Sequence, residues 1–305
     1  MAGIVEGVGA DVYEFKPGDR VAAFHESFEP YGSFAEFSIA PSHTVFHISE
    51  ETAFEDVAAV PLVAATAALG LFSRLRLQTP WDITPDTAIR GPLLVYGAGS
   101  AVGAYAIQFA VRARIHPIIA IAGRSKDYVT TLIDPSNGDH VFDYRQGVDT
   151  VVGQVREAIG GKEIYHAFDC ISMPGTDDFI GRLIKAEEPN KCSVATVLPR
   201  ATKDVSVMNV PSSVQLSSMT GIPDGVEIKW TFVGSVHKDE KEFGYILFRY
   251  MGRGIQDGWL KPVPREIVAG GLDGITDALR KMMNREHSAT KYVVRIADTV
   301  SVEST

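Results

Sequence analysis

Cysteine is nearly absent, with Cys170 and Cys192 the only two in 305 residues. That scarcity excludes a disulfide framework and a four-cysteine zinc site, and it points to a reducing, cytoplasmic setting. Clustered positive charge is missing too. Lysine and arginine total 29 against 38 aspartates and glutamates, a formal net charge of -9, so a nucleic-acid surface is not expected. The first residues, MAGIVEGVGADVYEF, carry neither the basic nor the apolar region of a signal peptide. The longest nearly apolar run, AAVPLVAATAALGLF at 58–72, is shorter than the roughly 20 residues of a membrane span and contains Pro61 and Gly70. A buried helix is expected there, and no membrane partner.

Motifs for metal and nucleophile chemistry are equally scarce. His43 and His47 are four apart, but they flank the β-like TVF, where alternation does not present them as a helical ligand pair. No metal site is expected. The G-x-S-x-G elbow of a serine hydrolase does not occur, and both cysteines sit in strand-like apolar runs that suit inert core thiols.

What is present is the composition of a globular chain, 45% hydrophobic and 22% charged, and long enough for two packed cores. Short β-type segments fill the front: GIVEGVG, DRVAAF, GSFAEFSIA and TVFHIS. After a Pro-, Thr- and Asp-rich linker at 78–92, strand and helix alternate. The strands are PLLVYG, HPIIAIAG, HVFDYR, YHAFDCIS, CSVATVL and EIKWTFVGS; the helices between them include AVGAYAIQFAVRAR, KDYVTTLID and DFIGRLIKAE. In VDTVVGQVREAIG, residues Val148, Val151, Val152, Val155 and Ile159 share one helical face. The fold class is therefore α/β, a doubly wound parallel sheet, because parallel strands need crossover helices. A smaller β-rich domain accompanies it. The boundaries expected are 86–235 for the sheet domain, and 1–85 with 236–305 for the other.

The first strand of this alternation breaks into Gly97, Ala98, Gly99, Ser100, Ala101, Val102 and Gly103, then resumes as helix. Glycine lets the backbone approach a pyrophosphate, and the free N–H groups of a helix start face the anion. Val102 occupies the last glycine position of a strict G-x-G-x-x-G, so an ordinary tight turn is the competing reading. The second strand ends in Gly123, Arg124, Ser125 and Lys126, without the carboxylate that would hold a ribose hydroxyl. Arg124 and Lys126 suit a 2′-phosphate and Ser125 can donate to it, which favours NADPH over NADH. The alternative is a solvated basic turn. A nicotinamide site without a metal suits reduction of a conjugated alkene or a quinone, because the substrate's own conjugation accepts the charge.

GIVEGVGADVYEFKPGDRVAAF, GSFAEFSIAP, EDVAAVPLVAATAALGLF, VYGAGSAVGAYAIQFA, FDYR and SATKYVVRI occur in the order found in the medium-chain dehydrogenase/reductase superfamily. Across nearly the whole chain the sequence resembles that family, and within it the zinc-free quinone oxidoreductase and fungal trans-acting enoyl reductase branch. The resemblance implies a Rossmann NADP-binding domain beside a GroES-like catalytic domain. Thr66 then falls where a threonine approaches the nicotinamide or substrate, although a core threonine bonded to its own helix fits as well. Tyr144 matches an adenosine-side tyrosine. Leu198, Pro199, His287 and Ser288 match further cofactor-lining positions, and Phe232, Val233 and Gly234 should lie near the nicotinamide. The implied substrate is an enone, a quinone or a carrier-bound enoyl thioester, the last with a polyketide synthase as partner; the chain itself is expected as monomer or homodimer. Family members carry a further front segment with an N-P-x-D-x-K loop, so the GroES-like domain is expected to be incomplete at its N-terminus. If that reflects the natural protein, the alternative is an NADPH-binding sensor or structural partner with little catalysis.

Overall fold

The computed structural model describes residues 1–82, 91–186, 191–199, 221–284, 286 and 288–300. The chain divides into two compact units, Met1–Ala65 with Gly234–Thr305, and Thr66–Val233.

The first unit is built on a three-stranded antiparallel sheet of β1 (Ala2–Ile4), β2 (Arg20–Ala23) and β3 (Val45–His47), with β2 in the centre. Helix α1 (Phe54–Val57) follows, and helix α2 (Val60–Ala68) begins in this unit. From the later part of the chain come α7 (Lys241–Gln256), β10 (Arg265–Val268), α8 (Ile275–Met283) and β11 (Lys291–Val294); β10 and β11 pair in parallel. Helix α7 packs on β3 through Phe248 and Phe46, whose ring centroids lie 6.3 Å apart. Arg249 fastens the same helix by two 2.8 Å bonds to Glu14 and by its placement over the Phe15 ring at 5.3 Å.

One strand expected in this unit does not form. GSFAEFSIA at 32–40 is irregular, with Phe34 70% and Phe37 69% exposed. Its alternation puts Ala35, Phe37 and Ile39 on an apolar side opposite Phe34, Glu36 and Ser38, but among the described residues β1 pairs only with β2 and no strand pairs with this segment. With β1 and residues 293–297, the segment lines a cleft of about 830 Å³.

The second unit is a six-stranded sheet with every strand parallel, in the order β6-β5-β4-β7-β8-β9. The strands are β4 (Leu93–Tyr96), β5 (Ile118–Ala122), β6 (His140–Asp143), β7 (His166–Asp169), β8 (Ser193–Thr196) and β9 (Glu227–Trp230). All five residues of β5 are buried, as expected of a strand covered on both faces. The crossover helices are α3 (Ala101–Arg112), α4 (Lys126–Thr130), α5 (Val148–Ile159) and α6 (Thr176–Gly181). In α5 the stripe Val151, Val152, Val155 and Ile159 is buried as the pattern requires, while Val148 at the first turn is exposed. Helices α4 and α6 are shorter than KDYVTTLID and DFIGRLIKAE suggest, since 3-10 and turn geometry takes over at Thr131 and Arg182.

The apolar run at 58–72 is helical, ending in a π-helical stretch, Leu69–Arg74. The whole helical run, Phe54–Arg74, has the length and apolarity to cross a membrane, yet most of it is buried inside the fold. At Gly70 the helix passes so close over β7 that a Cβ would collide with the Phe168 ring.

Candidate functional site

In the order β6-β5-β4-β7-β8-β9 the connections run outward from β4 in one direction and from β7 in the other. That reversal opens a crevice at the carboxyl ends of β4 and β7, the place where doubly wound sheets receive ligands.

The glycine turn lies at this crevice. Gly97 takes a left-handed φ of +74°, which lets the chain turn sharply off β4. A Cβ on Gly103 would lie 2.8 Å from the Ala98 Cα, so the third glycine lets α3 sit directly against the turn. These are the tight-turn and close-packing roles of a dinucleotide fingerprint, achieved with one extra residue between the second and third glycines. Ser100 caps α3, its hydroxyl accepting from the Gly103 N–H at 3.0 Å. Ala101 and Val102 then occupy the first turn, where a helix offers its N–H groups no backbone acceptor.

The basic turn is brought against it. A Cβ on Gly99 would strike the Ser125 side chain, so the two turns touch. Arg124 is exposed, Ser125 and Lys126 are half-buried, and the Lys126 N–H closes the turn on the Gly123 carbonyl at 3.0 Å. Tyr144 lays its ring over Gly123, where a Cβ would meet ring atoms from 2.5 Å outward. The structure thus gathers Gly97–Gly103, Gly123–Lys126 and Tyr144 in one place.

Two features here went unread in the sequence. Arg145 stands beside the basic turn, its Nη2 donating to the Gly123 carbonyl at 3.5 Å, and it grips Asp143 with bonds of 2.5 to 3.1 Å. That grip, with the Arg145 N–H and the charge of Lys126, holds the Asp143 carboxyl at about 2. The signal was the arginine of FDYR, next to the tyrosine already singled out. The second feature is Asp169, fully buried at the end of β7. Its carboxylate accepts from the N–H groups of Ile171 at 3.1 Å and Ser172 at 2.7 Å, and from the Thr176 hydroxyl at 2.5 Å. Asp169 thereby fixes the loop whose Ile171 side chain fills the space over Gly97. Ser172 carries the order onward, its hydroxyl accepting from the Val197 N–H at 3.0 Å.

Leu198 and Pro199 follow β8 at the same carboxyl edge, and Phe232 and Val233 follow β9. Phe232 stacks on Trp230 with centroids 5.3 Å apart. Thr196 and Trp230 are register partners, and the Thr231 N–H continues that ladder by bonding the Thr196 carbonyl at 2.7 Å. The hydroxyls of Thr196 and Thr231 and the Trp230 indole nitrogen are buried without a hydrogen-bond partner. Thr66 is buried on α2. Gly234 and Ser288 belong to the first unit, and His287 lies outside the described residues.

Among the described residues, no three His, Cys, Asp or Glu side chains gather as a metal site. Cys170 and Cys192 are both buried and unbridged. Burial, and then the charge of Asp169, push the Cys170 thiol well up, away from the thiolate a nucleophile needs.

No family model matches the chain. Individual relatives do. The trans-enoyl reductase fsr4 of Gibberella fujikuroi is 39% identical over 274 residues, which are 90% of this chain and 75% of the relative. The trans-enoyl reductase resD of Aspergillus sclerotiorum is 29% identical, with 97% of this chain and 84% of that one aligned. Solved structures share the fold at lower identity. The CurK enoyl reductase superposes with a TM-score of 0.67 at 18% identity, over 96% of this chain and 76% of that one. An alcohol dehydrogenase superfamily protein of Novosphingobium aromaticivorans gives 0.68 at 21%, over 93% and 76%. The parallel-sheet unit is accordingly a Rossmann domain and the β-rich unit a GroES-like domain, and the chain spans about three quarters of the length of fsr4 and of CurK. The chain belongs to the trans-enoyl reductase branch of the medium-chain dehydrogenase/reductase superfamily.

Proposed function

We propose that this protein is a zinc-independent, NADPH-dependent reductase of carbon–carbon double bonds conjugated to a carbonyl, in an enoyl thioester or enone, with quinones as a further class. A carrier-bound thioester presented by a polyketide synthase in the cytoplasm is the physiological setting we favour. The observation that carries the reading is the contact between the glycine turn and the basic turn at Gly99 and Ser125, on the crevice of a doubly wound sheet. The trans-enoyl reductase relatives supply the substrate class.

The residues present suit the dinucleotide. Ala101 and Val102 would hold the pyrophosphate by their N–H groups at the positive end of α3. Arg124, Ser125 and Lys126 would hold the 2′-phosphate, and the Tyr144 face would border the adenosine. Leu198, Pro199, Phe232 and Val233 would border the nicotinamide, with Thr66 a positioning residue. When bound, the cofactor supplies a hydride to the β-carbon of the alkene. The electron pair of the double bond would shift toward the carbonyl, and the α-carbon would then take a proton from water, leaving hydroxide and giving the saturated product. Conjugation carries the charge through this step, so no metal is needed to polarise the carbonyl.

The test is consumption of NADPH by the purified protein with a panel of enoyl thioesters, enones and quinones, with a metal chelator present. Chelator-resistant turnover of one of them is expected. NADPH binding without turnover of any would favour a sensor or structural role.

A further inference from the structure

We infer that helix α8 receives an acidic amphipathic helix of the protein that carries the enoyl thioester, through an exposed apolar strip with a basic border; the nature of that cargo rests on the reductase reading above. In ITDALRKMM the apolar residues Ile275, Ala278, Leu279, Met282 and Met283 recur at three- and four-residue spacing and share one side, while Thr276, Asp277, Arg280 and Lys281 take the other. A helix of this pattern ordinarily turns its apolar side to the core. In α8 only Ala278 is buried and Ile275 half-buried, whereas Leu279 is 54% exposed, Met282 46% and Met283 82%. Lys281 marks the side that meets the fold: its ammonium donates to Glu266 of β10 at 2.6 Å and lies 5.6 Å from the centre of the Tyr292 ring of β11. The helix therefore rests on the two-stranded sheet by one edge of its apolar side. Leu279, Met282 and Met283, at i, i+3 and i+4, are left as a contiguous strip facing outward.

Charge selects the occupant. Residues 261–295 hold seven lysines and arginines against four aspartates and glutamates, although the whole chain stands at -9. An acidic partner is disfavoured over most of such a protein and steered to this one stretch. Arg280 can serve it directly. Its 2.5 Å bond to Asp277 joins side chains that are 64% and 67% exposed, and an exposed pair of that kind contributes little, so a carboxylate of the partner can take its place. Methionine suits the apolar part of the contact, because its flexible thioether repacks around an incoming surface. A helix with apolar anchors at i, i+3 and i+4 and acidic flanks answers both the strip and its border.

The experiment compares two substrates that differ only in their carrier: a crotonyl group on free pantetheine, and the same group on the phosphopantetheine of a polyketide synthase carrier domain. Initial rates with NADPH are measured for the wild type and three variants: Leu279→Gln with Met282→Gln and Met283→Gln; Arg280→Glu; and Met282→Leu with Met283→Leu. The wild type is expected to show the lower KM for the carrier-bound form. The glutamine variant should raise that KM about tenfold or more at unchanged kcat, the effect of losing the central apolar anchors of an interface. Arg280→Glu should raise it by a smaller factor and flatten its dependence on salt. The leucine variant should keep it. All three should reduce crotonyl-pantetheine as the wild type does, which also reports that they fold. A glutamine variant with the wild-type KM for the carrier-bound form, or one that loses both substrates together, would overturn the inference. So would a loss confined to cosedimentation with phosphatidylserine vesicles or to self-association in the ultracentrifuge. A wild type that reduces both forms with equal KM sinks this inference alone; one that reduces neither sinks the reductase reading and this inference with it.

Discussion

Removing the two cations of the basic turn is the most informative perturbation of the cofactor site. Arg124 and Lys126 flank Ser125, which touches the glycine turn, so a 2′-phosphate on a ribose bound there lies within reach of both. A charge-assisted bond to a phosphate is worth about 1.5–3 kcal/mol; because Arg124 is exposed and Lys126 only half-buried, the lower end applies, roughly tenfold each. The variant Arg124→Ala with Lys126→Ala should therefore lose about 100-fold in NADPH affinity and leave NADH affinity nearly unchanged. Asp143 supplies a control of opposite sign. Its carboxyl, held at about 2, is ionised at any working pH, opposes the phosphate and occupies Arg145. Asp143→Asn should free Arg145 and tighten NADPH, with a steeper salt dependence. Titrations with both dinucleotides at low and high salt read all of this. A wild type that binds NADH as tightly as NADPH, or a double variant that keeps the preference, refutes the 2′-phosphate assignment.

The close packing of the glycine turn predicts that Gly103→Ala is damaging, because its methyl would press on the backbone of Gly97 and Ala98, which cannot rotate away. A loss of about 1–3 kcal/mol in urea unfolding, with NADPH affinity falling alongside, is expected; unchanged stability would show that α3 does not sit against the turn as described. Acid sensitivity should come from His166, which burial and then the charge of Lys229 push down to about 4. Its folded value lies below the ordinary 6.5, so the unfolded chain binds the proton first. The stability it contributes is intact above pH 6.5 and drains away toward pH 4, by at most about 3 kcal/mol. His237, also pushed to about 4 by burial and by His43, titrates in the same window. His166→Gln should thus shrink, without abolishing, the stability difference between pH 7 and pH 4.5; an undiminished difference in urea midpoints would contradict the assignment.

The parallel sheet was legible because its central strands β4 and β5 are continuous apolar runs and helical patterns alternate with the strands, and the glycine turn because its spacing differs from the strict fingerprint by one residue. The composition of Gly123 to Lys126 marked it as a basic turn without any view of the fold. Arg145 and Asp169 were not legible in the same way. Their roles depend on which turn lies beside them, and that is set by the contact of Gly99 with Ser125 and of Gly97 with Ile171 across separate crossovers. The irregular course of residues 32–40 was hidden for a related reason. Aromatic and β-branched residues favour a strand only where a neighbour offers an edge and a face to bury, which local composition does not report. Helix ends at Thr131 and Arg182 were misplaced by a few residues because helical periodicity continues into the 3-10 and turn geometry beyond them.

The most direct test of the account is a single reaction. The protein is mixed with NADPH, a chelator and an α,β-unsaturated thioester, the nicotinamide absorbance is followed, and the organic product is identified by mass spectrometry. The account predicts loss of NADPH in step with appearance of the saturated thioester, at a rate the chelator leaves unchanged. NADPH that binds and persists, with the thioester, enones and quinones all recovered unreduced, would contradict it.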